Sequence, residues 1–216
     1  MFVEVLVILA FLTVLTVGEY IWFDQTTPVF QGLDWKKKNE WLGRVTGALC
    51  QIGMFLFAGI SGETTKWGVA WMLAYFMHDV AHCMLYDSDI TNYIHHVIAF
   101  IITVLREAIM TPDQSYSVYL AVLNLESTTP FINATWLMRE AGYKDHPAFK
   151  YLAGFTVVFF GLMRVLLFPW LMWKNMDTAT ATMFVPIFGL NCYWFYKIIG
   201  MAQRAFATNG GSERRE

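Results

Sequence analysis

Two adjacent histidines, His95 and His96, and a second group of His78, Asp79 and His82 are the residues best suited to chemistry in this chain. A neutral imidazole deprotonates a hydroxyl or an amine, or accepts an acyl group itself, and a neighbouring carboxylate orients it. Successive residues of a helix turn by about 100°, so His78, Asp79 and His82 share about 100° of arc and are expected to look into one cavity. On the following helix Asn92, His95, Ala99, Thr103 and Arg106 form one stripe, with His96 at its edge; the rest of the arc is Ile, Val, Phe and Leu. The helix after that adds Glu126, with Tyr119, Thr129, Pro130 and Asn133 within about 60° of it. Arg164 and Asn191 stand at intermediate depth in the last two apolar runs. The expected catalytic set is His95, His96, Asp79 and His82. The expected substrate-binding set is His78, Asn92, Thr103, Glu126, Thr129, Asn133, Arg164 and Asn191.

Other uses of the same residues compete with these. His78 and His82 have the spacing of a metal-ligating helical pair. A histidine-box di-iron centre, however, would need about twice the 5 histidines present, and no metal site is assigned. Buried polar side chains also bind membrane helices together, which is the plain reading of Asn92, Asn124 and Asn191 taken singly. Arg106 suits a snorkelling interfacial arginine. Glu126 and Arg164 are expected to form an ion pair, because an unpaired charge at mid-bilayer is expensive.

These residues need helices to hold them, and the sequence supplies about seven apolar runs of spanning length. They are Met1–Phe23, Trp41–Ile60, Trp67–Tyr86, Ile90–Met110, Tyr116–Met138, Phe149–Trp173 and Ala181–Phe206. No strand alternation competes with them, and the connections are short and rich in Asp, Ser, Thr, Gly and Pro. The expected fold is all-α: a polytopic membrane helix bundle around a central cavity. Residues 1–34 make the first helix and its loop, 35–206 the main domain and 207–216 a polar tail. The first run lacks a basic start and a small-x-small cleavage site, so it is read as a retained helix rather than a signal peptide.

Composition agrees. Of 216 residues 56% are hydrophobic and 15% charged, against about 25% charged in a soluble domain. Mean hydropathy is +0.43. Disorder, a coiled coil and a nucleic-acid partner are excluded. Cys50, Cys83 and Cys192 are scattered in apolar runs and read as packing residues, not as a disulfide framework. Lys36, Lys37, Lys38, Arg44, Arg139, Lys144, Lys150 and Lys197, with Arg204, Arg214 and Arg215, fall on one side of the bundle; Lys66, Arg106 and Lys174 fall on the other. The positive-inside rule then makes the C-terminus cytosolic, and both histidine groups lie in the cytosolic half. Asn133-Ala134-Thr135 matches the glycosylation pattern but sits near that cytosolic end, so it is expected to be unmodified.

Several blocks together resemble a known family. Glu40-Trp41-x-x-Arg44 opens the second run, Tyr75-Phe76-x-x-Asp79 follows, and His95-His96 opens the fourth. Glu126-Ser127-Thr128-Thr129-Pro130-Phe131-x-Asn133-x-x-Trp136 occupies the fifth, then come Arg164 and Asn191-x-x-Trp194-Phe195-Tyr196-Lys197. In order and spacing they resemble the TLC domain shared by ceramide synthases and smaller TLC-domain-containing proteins, over about residues 35 to 205. The resemblance implies an endomembrane protein, usually of the endoplasmic reticulum, with a lipid-accessible central cavity. It also implies, in catalytic members, transfer of a fatty acyl group from acyl-CoA to the amine of a long-chain base, with the pair matching His95 and His96 at the centre. The paired aspartates of the synthases are missing after the histidines; Glu126 and the Ser/Thr-Pro block stand there, as in the smaller branch, and Thr128 replaces an expected serine. Two functions therefore stay open: an acyltransferase of lipid metabolism, with acyl-CoA as co-substrate and no tightly bound cofactor, and a lipid-binding or membrane-composition-regulating protein without chemistry. The expected partner is a membrane lipid or fatty acyl chain, and a homo-oligomer is compatible with the sequence.

Overall fold

The computed structural model describes residues 2–61, 66–86, 90–109 and 111–209. The tail beyond residue 209 and the side chain of Arg106 lie outside the described residues. Helices account for nearly all of what is described, and no strand occurs among those residues. In chain order they are α1 (Phe2–Thr26), α2 (Pro28–Gln31), α3 (Trp35–Ser61), α4 (Lys66–Tyr86), α5 (Ile90–Ile109), α6 (Pro112–Glu126), α7 (Thr129–Glu140), α8 (Pro147–Phe160), a π-helical stretch (Gly161–Leu167), α9 (Phe168–Asn175), α10 (Thr178–Met183) and α11 (Val185–Asn209). Helix α4 is the central post: it packs against α1, α3 and α5, while α7 closes on α3 and α8. The π-helical stretch touches α6 and α11.

The bundle exposes apolar side chains on its outside and buries polar ones within an otherwise apolar core. Val3, Phe11, Val14 and Val17 of α1 and Val158, Leu162 and Leu166 near α8 are exposed, while Gln51, Glu126, Arg164 and Asn191 are buried. Exposed apolar belts with ionisable groups turned to the bundle interior are what a hydrocarbon solvent selects. On length and composition alone, Phe2–Thr26 and Pro147–Asn175 qualify as membrane spans; Ile90–Leu105 is apolar but shorter. The other long helices are less apolar because they carry the polar groups of the interior.

Three local features shape that interior. Pro130 sits in the first turn of α7, so α6 and α7 are separated by Ser127 and Thr128. Carbonyls released by this break find hydroxyl donors nearby: Ser127 Oγ donates to the Asn124 carbonyl at 2.7 Å and Thr128 Oγ1 to that of Leu125 at 3.4 Å. Local Ser and Thr side chains often restore a proline-broken membrane helix in this way. The run after Pro147 widens into a π-helical stretch over Gly161–Leu167, which turns Arg164 inward. A Cβ at Gly161 would meet the Phe195 ring at 2.8 Å, so glycine lets α11 approach there. Helix α7 ends on Gly142 (φ 85°), with Gly142 N–H donating to Arg139 and Tyr143 N–H to Met138, a Schellman stop.

Candidate functional site

Each histidine of the α5 pair faces its own carboxylate. His96 Nε2 lies 2.8 Å from Asp79 Oδ2 of α4, and His95 Nε2 lies 3.7 Å from Glu126 Oε1 of α6. The first is a hydrogen bond and the second a looser electrostatic contact. The two rings meet edge to face at 5.0 Å, and His95 also rests against Trp194 at 5.2 Å. Trp194 is itself fixed by an indole bond to Thr91 Oγ1 at 3.0 Å. A carboxylate at Nε2 holds the neutral ring in its Nε2–H tautomer and leaves the Nδ1 lone pair as the basic site. Nδ1 of both rings is buried, and among the described residues no group hydrogen-bonds to either.

The two pairs are joined through residues that the sequence reading did not assign to the site. Gln51 of α3 donates from Nε2 to Glu126 Oε2 at 2.7 Å and to the Tyr75 hydroxyl at 3.0 Å. Tyr75 in turn donates to Asp79 Oδ2 at 3.4 Å. On the other flank Thr129 donates to Glu126 Oε2 at 3.2 Å and accepts from Arg164 Nη2 at 2.7 Å. Arg164 also donates from Nε to Thr128 at 2.6 Å and from Nη1 to Asn191 at 3.2 Å, with its guanidinium over the Phe160 ring. One buried polar chain therefore runs Arg164–Thr129–Glu126–Gln51–Tyr75–Asp79–His96, with His95 as a branch. A connected network of this kind fixes rotamers in a low-dielectric interior, although Gln51 Oε1 and both histidine Nδ1 atoms in it are buried without a partner among the described residues.

The expected direct Glu126–Arg164 ion pair is corrected by this geometry. No carboxylate–guanidinium contact within 4 Å joins them among the described residues; the Thr129 hydroxyl stands between. The single cavity expected for His78, Asp79 and His82 holds for Asp79 and His82, which both line the central cavity, and is corrected for His78, which does not. Asp79 turns to His96, His82 Nε2 bonds the Asn39 carbonyl at 2.9 Å, and His78 Nε2 faces Thr16 Oγ1 of α1 at 3.4 Å. Helix α1 packs on the side of α4 away from α5 and draws His78 there. Thr103 is buried, bonded to its own helix at the Ala99 carbonyl and touching Met72 sulfur, so it lies off the cavity. Asn191 serves Arg164 from behind the cavity wall.

The cavity has a volume of about 680 Å³. Its inner wall carries Tyr75, Asp79, His95, His96, Glu126, Thr129 and Arg164, with Asn92 and Asn133 further out. Its mouth carries Lys36, Lys37, Arg44 and Lys197 beside Asp34 and Glu40. Arg44 is held by Glu40 at 3.1 Å, by Asn133 Oδ1 at 3.1 Å and over the Trp136 ring. Asn133 returns a bond to the Arg44 carbonyl, so its amide is buried at a helix joint. Lys37 reaches Glu140 at 2.8 Å and Lys38 reaches Asp24 at 2.7 Å, tying the start of α3 to the ends of α7 and α1. No group of three or more metal-ligating side chains with metal-site geometry occurs among the described residues.

An all-helical bundle with buried, carboxylate-backed histidines beneath a basic mouth defines a class of membrane protein rather than a single activity. A family model for the TLC domain matches residues 11–200. The chain belongs to the TLC-domain family, whose members are membrane proteins. No curated protein and no solved structure matches it.

Proposed function

We propose that this TLC-domain protein is a multi-pass protein of the endoplasmic reticulum, with about seven spans, that transfers a fatty acyl group from acyl-CoA to a lipid or long-chain-base acceptor. The observation that carries the reading is the His96–Asp79 hydrogen bond of 2.8 Å on the wall of a cavity with a cationic mouth. His96 Nδ1 is the base. It takes the proton of the acceptor's amine or hydroxyl as that nitrogen or oxygen attacks the thioester carbonyl. The carbon–sulfur bond breaks, and the proton passes to the departing thiolate. Asp79 holds the ring and stabilises its charged form. His95 is held more loosely and braces its neighbour. Lys36, Arg44 and Lys197 suit the phosphates of the donor, and the apolar helices accommodate its chain.

A second reading rests on a different observation: both Nδ1 atoms are sealed from the surface. A histidine that never meets a substrate atom would make this a lipid-binding site without chemistry. The experiment is acyl transfer by purified protein from a radiolabelled long-chain acyl-CoA to a panel of amine- and hydroxyl-bearing lipids, with intact-mass spectrometry in parallel. Product formed by wild type and lost in His96→Ala supports the enzyme. Co-purified, non-covalent lipid with no product from any acceptor overturns transfer and supports the binder.

A further inference from the structure

A second, smaller cavity of about 260 Å³ opens on the outer side of α1, α3 and α4. Its polar walls are Thr13 and Thr16 of α1, Asn39 of α3, and His78 and His82 of α4, with Val17, Leu42 and Ala81 between them. Thr13 and Ala81 are exposed, as are Val17 and, at the rim, Leu85, so the cavity faces the surroundings of the bundle. Polar groups are unusual at such a surface, and their donor bookkeeping is informative. The Thr13 hydroxyl donates to the Leu9 carbonyl and the Thr16 hydroxyl to the Leu12 carbonyl, each at 2.9 Å. Thr46 donates to Glu19 at 2.8 Å, so neither it nor Thr16 has a hydrogen left for His78. His78 Nε2, 3.4 Å from Thr16 Oγ1, must then be the donor, which leaves Nδ1 as an acceptor. The hydroxyl hydrogens and the His78 donor are thus spent, while the threonine oxygens and His78 Nδ1 still accept; Asn39 Nδ2 gives one hydrogen to the Trp35 carbonyl and keeps a second. Among the described residues no Lys, Arg, Asp or Glu lines this cavity.

We infer that this lateral cavity binds the head of an uncharged membrane lipid alcohol, such as a diacylglycerol, from within the bilayer. A hydroxyl head group, which both donates and accepts and carries no charge, complements a wall rich in acceptors, with the Asn39 amide as a remaining donor and no fixed charge. A phosphate head would bring more acceptors to acceptors and find no cation. An ammonium head would lack a counter-charge on the lining. The site lies across α4 from the central cavity, with His82 bordering both, and its occupancy does not depend on whether His96 is catalytic.

The test uses the full chain in phosphatidylcholine nanodiscs containing a photoactivatable diacylglycerol or, separately, a photoactivatable phosphatidic acid of the same chains. Crosslinks are mapped by mass spectrometry. The diacylglycerol probe is expected to label the peptides around Thr13–Val17 and Ala81–Leu85. Ala81→Trp, which fills the cavity, and Thr16→Val with His78→Phe, which keeps its shape but removes acceptors, should each cut that labelling by about fivefold or more. Thermal melts of both variants confirm folding, and Thr13→Val replaces either one that fails. Equal labelling by phosphatidic acid, labelling indifferent to the variants, or crosslinks joining two copies of the chain through α1 and α4 would overturn the proposal.

Discussion

At the scale of single residues, the structure separates two histidines that the sequence leaves equivalent. His96 has a carboxylate at hydrogen-bond distance and His95 does not. Asp79→Asn should therefore lower acyl transfer by about 10²-fold, because an amide no longer favours the protonated ring, and thermal stability should change little. Matched kinetics and melts check this; a rate near wild type would detach Asp79 from the chemistry. Gln51 has the opposite expectation. Gln51→Leu removes a donor from Glu126 and from Tyr75 at once, both buried. A loss of about 1–3 kcal/mol is expected from the stranded acceptors. A melt indistinguishable from wild type would show that the bridge carries no stability. The residue was overlooked because one glutamine in an apolar run looks the same whether it faces a cavity or a neighbouring helix. Thr129 decides a third point. Glu126→Gln and Arg164→Gln should be non-additive by about 0.5–3 kcal/mol, and that coupling should vanish in a Thr129→Val background. Persistent coupling there would mean that the two charges interact through space rather than through the hydroxyl.

At the scale of elements, the apolar runs anticipated α1, α4 and α5 within a few residues, because length and hydropathy are properties of the run itself, while the fifth, sixth and seventh runs are each divided in the structure. What they missed depends on neighbours. The π-helical stretch over Gly161–Leu167 has no periodic signature; it forms where Arg164 must reach Thr128, Thr129 and Asn191. The α10–α11 break was read as one helix from Ala181. Asp177, which caps α10 by accepting from Thr180 N–H at 2.9 Å, and Pro186 in the first turn of α11 were the available signals. The arc argument for His78, Asp79 and His82 placed them on adjoining faces correctly but could not say that α1 and α5 would claim opposite edges. Gly43 shows how tightly α3 meets α4: a Cβ there would stand 2.5 Å from the His82 ring. Gly43→Ala should therefore displace the ring from the Asn39 carbonyl and cost about 1–3 kcal/mol. In a His82→Ala background the same change should cost much less. Equal costs in both backgrounds, by thermal melts, would place the strain elsewhere.

At the scale of the whole molecule, topology and chemistry constrain each other. Lys36, Lys37 and Arg44 lie at the start of α3, and Lys197 lies in the second half of α11. Short connections make successive spans alternate in direction, so the start of α3 and the end of α11 share a face. The Lys37–Glu140 and Lys38–Asp24 bridges gather the ends of α7 and α1 on that face too. Hydrogen bonds to Glu140 and Asp24 hold the ammonium groups of Lys37 and Lys38 above the ordinary lysine range. The cavity mouth and the end of α11 are then expected on the same side. By the positive-inside rule the excess of Lys and Arg there is expected to make this face cytosolic, the side from which the proposed acyl-CoA donor would enter. A C-terminal tag should accordingly be digested by protease added to sealed microsomes, and a tag in the 62–65 connection should be protected. The reverse pattern would turn the mouth toward the lumen. The acyl-CoA donor would then have no access to His96, and the transfer reading would fall even if the His96–Asp79 geometry stood. Protection of both tags would instead remove one span from the count and leave the side of the mouth to be decided by the start of α3 alone.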